Sequence, residues 1–181
     1  EKAYDFESAV LGKEQMKQLA ETDPLTETFN RRALAERMAQ ELERASRYSA
    51  SLACLMADID RFKDVNDQHG HLVGDNVLRQ IVAIFRREQR TVDVLARYGG
   101  EEFVLLLPET GPEGARIFAE RVVQRVAAHE FGEGGRSIRV TISIGIACYP
   151  DGRASDGEEL LRLADEKLYR AKLEGRNRYC D

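Results

Sequence analysis

Between Val92 and Leu107 two runs of strand composition, Val92 to Tyr98 and Glu102 to Leu107, are separated by Gly99-Gly100, and this hairpin constrains the fold more than any other feature of the chain. Short apolar segments joined by a turn that admits positive φ pair antiparallel. A lone hairpin is unstable in water, so further strands or helices must cover it. Candidates stand on both sides. Ser51 to Ala57 is short and apolar like a buried strand, and Ile138 to Ile146 alternates apolar with small or polar residues like a strand with one face buried.

Helical spacing fills the gaps. Asn30 is a good cap for a helix to about Arg47, with Leu34, Met38 and Leu42 recurring every fourth residue. A second helix spans Gly74 to Arg87 with Val77, Leu78, Ile81, Val82 and Phe85 on one face, and a third spans Gly114 to His129 through Phe118, Val122 and Val126. Leu160, Ala164, Leu168 and Ala171 mark a last helix, ended by Gly175. The order helix, strand, helix, hairpin, helix, strand, helix predicts an α+β fold with a mostly antiparallel central sheet flanked by helices.

Composition narrows the class. With 181 residues, 43% of them hydrophobic, the chain can bury one ordinary core and carry an appendage. Lys+Arg 27 against Asp+Glu 32 leaves a net charge of -5, which provides no basic face for nucleic acid. The longest wholly apolar run, Leu52 to Ala57, is far below the roughly 20 residues of a spanning helix, so no membrane contact by this domain is expected. Cys54, Cys148 and Cys180 are odd in number and widely spaced, which suits a reducing cytoplasm and neither a disulfide framework nor a zinc site.

From Asp5 to Glu21 a weak stripe of Phe6, Val10, Met16 and Leu19 has helical spacing, and Asp23-Pro24-Leu25-Thr26 interrupts it. The expected organisation is a linker helix over residues 1–21 and a domain over 22–181. Glu1 to Asp5 show neither an initiator Met nor a signal-peptide pattern, so the chain reads as a piece of a longer protein with an upstream sensory or regulatory domain, whose own membrane attachment stays open.

The chemistry gathers at two places. Asp58-Ile59-Asp60 ends the first strand and Glu101-Glu102 lies at the tip of the hairpin. If those strands are neighbours, three or four carboxylates converge, and a divalent cation is the usual compensation for such crowding. Oxygen-only ligands favour Mg²⁺ over zinc. Each motif alone is also ordinary loop or turn chemistry. A calcium loop is excluded, because its pattern would require a carboxylate or amide at Phe62.

Arg97-Tyr98-Gly99-Gly100-Glu101-Glu102-Phe103 resembles the signature of the GGDEF diguanylate cyclase family, with Glu in place of Asp. Asp58 to Asp67 and Gly70-His71-x-x-Gly74-Asp75 match the family's second block, and Leu168-Tyr169-Arg170-Ala171-Lys172-x-x-Gly175-Arg176-Asn177 its third. With Asp23-x-Leu25-Thr26 and Asn30-Arg31-Arg32 the likeness covers Thr22 to Tyr179. Glu27-Thr28-Phe29 departs from it, occupying a place where the family has Gly-Leu and a variable residue; it lies away from the acidic cluster in sequence and puts only a local turn in doubt.

The resemblance implies a sheet similar to the palm of polymerases and nucleotide cyclases, and a reaction joining two GTP into cyclic di-GMP with release of pyrophosphate. It implies Mg²⁺, with Mn²⁺ as a substitute, held by Asp58, the Ile59 carbonyl and Glu101, with Glu101 and Glu102 as catalytic residues. Asn66 and Asp75 resemble the pair that reads the guanine edge, where an acceptor suits the N1–H donor that adenine lacks. By themselves Asn66 could cap a turn and Asp75 the following helix. Lys63, Lys172 and Arg176 would neutralise phosphates. Arg90-x-x-Asp93 stands where the family places its product-inhibition site for cyclic di-GMP, with Arg121 as a further contact. One GTP per site implies that turnover needs a homodimer. His69 and His71 flank a glycine turn and suit loop structure better than proton transfer.

Overall fold

The structure is a computed structural model that describes residues 21–132, 137–151 and 154–181. The expected linker helix over residues 1–21 lies outside the described residues, Glu21 excepted. In chain order the elements are α1 (Arg31–Tyr48), β1 (Leu52–Ile59), α2 (Phe62–His69), α3 (His71–Glu88), β2 (Val94–Arg97), β3 (Glu102–Pro108), α4 (Pro112–Ala128), β4 (Ile142–Tyr149), α5 (Gly157–Leu173) and β5 (Tyr179–Cys180).

One five-stranded sheet runs in the order β2-β3-β1-β4-β5. All its pairings are antiparallel except the short parallel contact of β5 with β4. The α+β architecture expected from periodicity is therefore the one observed. Asn30 caps α1 as anticipated, its Oδ1 accepting from the Ala33 amide at 3.0 Å.

Two local expectations are revised. Residues 62–69 form a separate helix, and α3 begins at His71 rather than at Gly74. Only Phe62 and Val65 are buried in α2, so its sequence carries too short a stripe to announce a helix. Consequently Asn66 and Asp75 lie inside α2 and α3 and cap neither. The second revision concerns β4, which starts at Ile142 and is buried on both faces. Its small residues do not face water. A Cβ on Gly145 would stand 2.0 Å from the Ala164 carbonyl oxygen and 2.2 Å from the Leu168 amide, so the bare glycine is what lets the α5 backbone lie on the sheet.

Helices cover both faces because every strand of the sheet centre is apolar on both. Leu55, Ala57 and Ile59 of β1 point into one cluster with Phe103, Leu105, Val77, Ile81, Phe85 and Val122. Leu52, Cys54 and Met56 point into the other, with Val104, Leu106, Leu34, Met38, Leu160 and Leu168. This alternation decides the placement of the acids. Asp58, two residues beyond Met56, emerges on the α1/α5 side at the sheet's end.

Candidate active site

The antiparallel register sets Asp58 directly opposite Glu102, and the Ile59 amide donates to the Glu101 carbonyl at 3.3 Å. The end of β1 and the bend after β2 therefore meet. The turn is closed by the amides of Tyr98 and Gly99, both donating to the Glu102 carbonyl, at 2.8 and 3.2 Å. Neither glycine uses the left-handed region that it would admit. Gly99 instead makes room for a side chain: a Cβ there would lie 2.3 Å from Glu102 Oε2.

Asp58 is 7% exposed. Burial pushes its carboxyl up to about 6; Lys172, whose Nζ lies 2.9 Å from Oδ2, opposes the rise, and the charges of Glu101 and Glu102 add to it. Lys172 comes from the last turns of α5, so the third sequence block reaches the same point as the first two. Its partner here is a carboxylate, where resemblance suggested phosphate.

Asp60 does not join this group. It is buried on its own and accepts from Thr141 Oγ1 at 2.6 Å, Ser143 Oγ at 2.7 Å and the Asn177 amide at 3.1 Å. The expected convergence of three or four carboxylates is thus reduced to Asp58, Glu101 and Glu102, because β1 stops at Ile59 and Asp60 turns toward the loop before β4. Among the described residues no set of three or more acids, histidines or cysteines is gathered closely enough to form a cage by itself.

The other sequence candidates lie on α2, on α3 and in the turn after α5. Asn66 on α2 lies against Gly74 on α3, where a Cβ would come within 1.9 Å of Asn66 Oδ1. The two helices, joined through Gly70 at φ +87, thus set Asn66 against Gly74, the residue before Asp75. His69 and His71 close the two sides of that joint. Lys63 projects from the first turn of α2 and is exposed. Arg176 is exposed in the turn after α5, at φ +65.

Arg90 and Asp93 sit elsewhere, between α3 and β2. The Arg90 amide donates to Asp93 Oδ2 at 2.6 Å, and its guanidinium reaches Asp93 Oδ1 at 2.9 Å and the Pro108 carbonyl at 2.7 Å. Arg121 on α4 pairs with Glu88 at 2.5 Å, two residues before Arg90.

One contributor was missed in the sequence. Arg97 Nη1 lies 3.1 and 3.2 Å from the two carboxylate oxygens of Asp23, while Nη2 donates to the Gly100 carbonyl at 2.7 Å. Asp23 also accepts from the Thr26 amide and hydroxyl, at 2.9 and 2.7 Å. Although burial raises it, its carboxyl sits below the ordinary value because Thr26 and Arg97 outweigh that burial. The turn at 23–28, distant in sequence from the acids, is therefore fastened to the loop that carries them. Within it Glu27 takes φ +56, the conformation that the family's glycine would adopt freely. The signal was present, since Asp23, Thr26 and Arg97 all belong to matched blocks, but nothing in their spacing pairs them.

The family model for the diguanylate cyclase GGDEF domain matches residues 20–178. The chain belongs to the GGDEF diguanylate cyclase family. It is 45% identical over 165 residues to the diguanylate cyclase DgcP of Pseudomonas aeruginosa, covering 91% of this chain and 24% of that protein. It is 40% identical over 162 residues to the response regulator PleD of Caulobacter vibrioides, covering 88% and 36%. The GGDEF chain thus spans about a quarter to a third of these relatives. Among solved structures it is similar to the coiled coil and GGDEF domain of DgcB from Caulobacter crescentus in complex with c-di-GMP, with TM-score 0.92, 27% identity and coverage of 99% of this chain and 94% of that one. The active GGEEF domain of a Vibrio cholerae diguanylate cyclase matches with TM-score 0.79 and 37% identity, covering 83% and 95%. Among the described residues no helix is long and apolar enough to cross a membrane.

Proposed function

We propose that this domain condenses two GTP molecules into cyclic di-GMP with release of two pyrophosphates, using Mg²⁺ or Mn²⁺ and acting as a homodimer. The observation that carries the reading is the register that sets Asp58 opposite Glu102 with the Ile59 amide on the Glu101 carbonyl.

The donor set fits a hard dication. Two carboxylates, Asp58 and Glu101, with the Ile59 carbonyl are too few for a closed protein cage, and Mg²⁺ characteristically takes one or two carboxylates together with substrate phosphates. Burial raises the Asp58 carboxyl and the charges of Glu101 and Glu102 add to the rise, a crowding that a dication would offset. When bound, Mg²⁺ would supply charge neutralisation to the triphosphate and acidify the attacking 3′-hydroxyl.

The chain's own residues do the positioning. Asp75 and Asn66 would accept from and donate to the guanine edge, a contact an adenine cannot complete. Lys63, Lys172 and Arg176 would meet the phosphates, so that the 3′-oxygen of one GTP attacks the α-phosphorus of the other in line with the departing pyrophosphate. Glu102, beside Asp58, keeps the site anionic when Asp58 is drawn to Lys172. Because each site holds one GTP, the second phosphodiester needs a second domain facing the first, an arrangement that an upstream regulatory domain would control.

Product inhibition is the second part of the proposal. Arg90 and Asp93 already pair with one another, so cyclic di-GMP would exchange that pair for base and phosphate contacts, with Arg121 released from Glu88 as a further guanidinium. Incubation with GTP and Mg²⁺ followed by mass identification of the product tests the function. Cyclic di-GMP is expected from the intact chain and none from Glu101→Ala; equal product from that variant removes the mechanism.

A further inference from the structure

Glu88, the last residue of α3, stands two residues before Arg90 and holds two guanidiniums of α4. Arg121 Nε lies 2.5 Å from its Oε2, Arg125 Nε lies 3.4 Å from its Oε1, and Arg121 Nη2 donates to its main-chain carbonyl at 3.1 Å. The three side chains are unequally placed. That of Glu88 is 14% exposed, against 44% for Arg121 and 67% for Arg125, so the carboxylate is covered while the arginines stay open to solvent. Helix chemistry alone gives no reason for an acid there. The last turn of α3 already carries Arg86 and Arg87, the charges a helix C-terminus favours, and a carboxylate at that end meets the negative pole of the helix. The arginine pair, one turn apart on α4, is what offsets it.

The two arginines proposed to meet cyclic di-GMP are thus restrained in different ways. Arg90 is paired with Asp93, itself a proposed ligand contact, and also donates to the Pro108 carbonyl and to Thr110 Oγ1, at 2.7 and 2.9 Å. Arg121 is paired with a carboxylate that has no place in the proposed site. Its guanidinium also lies over the Phe118 ring, 5.7 Å from the centroid, so the Glu88 carboxylate, the Glu88 carbonyl and an aromatic face together fix its orientation.

We propose that Glu88 is an internal competitor for the inhibitory site: its carboxylate occupies the Arg121 guanidinium in the free domain, so cyclic di-GMP must displace it, and Glu88 thereby sets the product concentration at which inhibition begins. The inference rests on the product-inhibition part of the cyclase reading and assigns the tuning of that site to a residue outside it. The phosphodiesters of the product and the Glu88 carboxylate are anions that seek the same donor fork, so each weakens the other's hold. A site whose competent form is only a fraction of the molecules binds with an affinity reduced by that fraction. Arg125 strengthens the latch by holding the second carboxylate oxygen.

Calorimetric titration with cyclic di-GMP tests it on the intact chain, Glu88→Gln, Arg121→Ala and the double variant, with thermal melting as the control for folding. Glutamine keeps the side chain's size and removes the charge that Arg121 pairs with. Glu88→Gln should bind cyclic di-GMP roughly threefold to tenfold more tightly, the fold-change that a partly covered ion pair supports, and the concentration that halves the cyclase rate should fall by the same factor. Glu88→Ala, which opens the same donor by truncation, should show the same gain. In the Arg121→Ala background the gain should shrink to less than about twofold, because the freed donor is absent. Equal or weaker binding by the folded Glu88 variants overturns the latch, as does a gain that persists without Arg121, which would reduce Glu88 to a distant repelling charge. Arg90→Ala separates the latch from the reading beneath it. Binding lost in Arg90→Ala but unmoved by Glu88→Gln leaves the inhibitory site standing and the latch fallen; binding tightened in Glu88→Gln but indifferent to Arg90→Ala does the reverse.

Discussion

Lys172 Nζ lies 2.9 Å from Asp58 Oδ2, joining the last turns of α5 to the end of β1 through one buried carboxylate. Burial holds that carboxyl near 6 against an unfolded value of 3.8, even with the ammonium beside it. A carboxyl raised in the folded state binds its proton more tightly there, so its contribution to stability is complete below pH 3.8 and is lost as pH rises through about 6. In metal-free buffer with chelator, denaturant unfolding measured between pH 4 and 7 should show a loss on the order of 1–3 kcal/mol assignable to Asp58. Asp58→Asn should flatten that part of the profile, and parallel profiles for the two chains would refute the buried titration.

Asp58 and Asp60 are two residues apart and should respond oppositely to truncation. Asp60→Ala leaves Thr141 Oγ1, Ser143 Oγ and the Asn177 amide without their acceptor, a loss of about 2–4 kcal/mol. Asp58→Ala removes a carboxylate that burial already disfavours, so the fold should hold while cyclic di-GMP formation fails. Equilibrium denaturation and the product assay, run on both variants, separate a structural acid from a functional one.

Arg97 clasps Asp23 and the Gly100 carbonyl together, so it positions the loop that presents Glu101 without itself reaching the acids. Arg97→Ala should lower the cyclase rate by one to two orders of magnitude, because small misplacements of catalytic groups have large kinetic effects. Cyclic di-GMP binding at the proposed Arg90–Asp93 site should be unaffected. Asp23→Asn keeps the side chain's size and removes its charge, and should reproduce a smaller part of the loss; a full rate in both would show that the clasp has no bearing on catalysis.

Glu27 at φ +56 carries a strain that a glycine would relieve. Its carbonyl, which accepts from Arg86 at 2.8 Å, is retained in any substitution. Glu27→Gly should therefore stabilise the domain by roughly 0.5–1 kcal/mol, the left-handed penalty less the extra chain entropy of glycine. Urea midpoints of the two chains measure it directly.

Much of the architecture was legible because periodicity is local. The helix capped by Asn30 and the hairpin of Val92 to Leu107 each declare themselves within a few turns of chain, and the α+β arrangement follows from their order. The eight-residue helix α2 did not, since two buried residues make no stripe. The small residues of β4 read as a solvent face and proved to be the seat of α5, because a glycine that admits a backbone looks the same in sequence as one that faces water. Of the acids, the letters marked Asp58, Asp60, Glu101 and Glu102 alike, and the end of β1 sent Asp60 elsewhere.

By itself the sequence determined which chemical groups this domain possesses, which helical faces are apolar, and that a hairpin bears two glutamates at its bend. Only the tertiary structure decided which of those groups meet: Asp58 with Lys172, 114 positions apart by their numbering, and Asp23 with Arg97 across 74. The reason is physical. Residue type and local period are written along the chain, whereas strand register and the choice of face against a neighbouring helix depend on how distant segments share one buried core, and those choices bring a carboxylate within reach of its partner or turn it away.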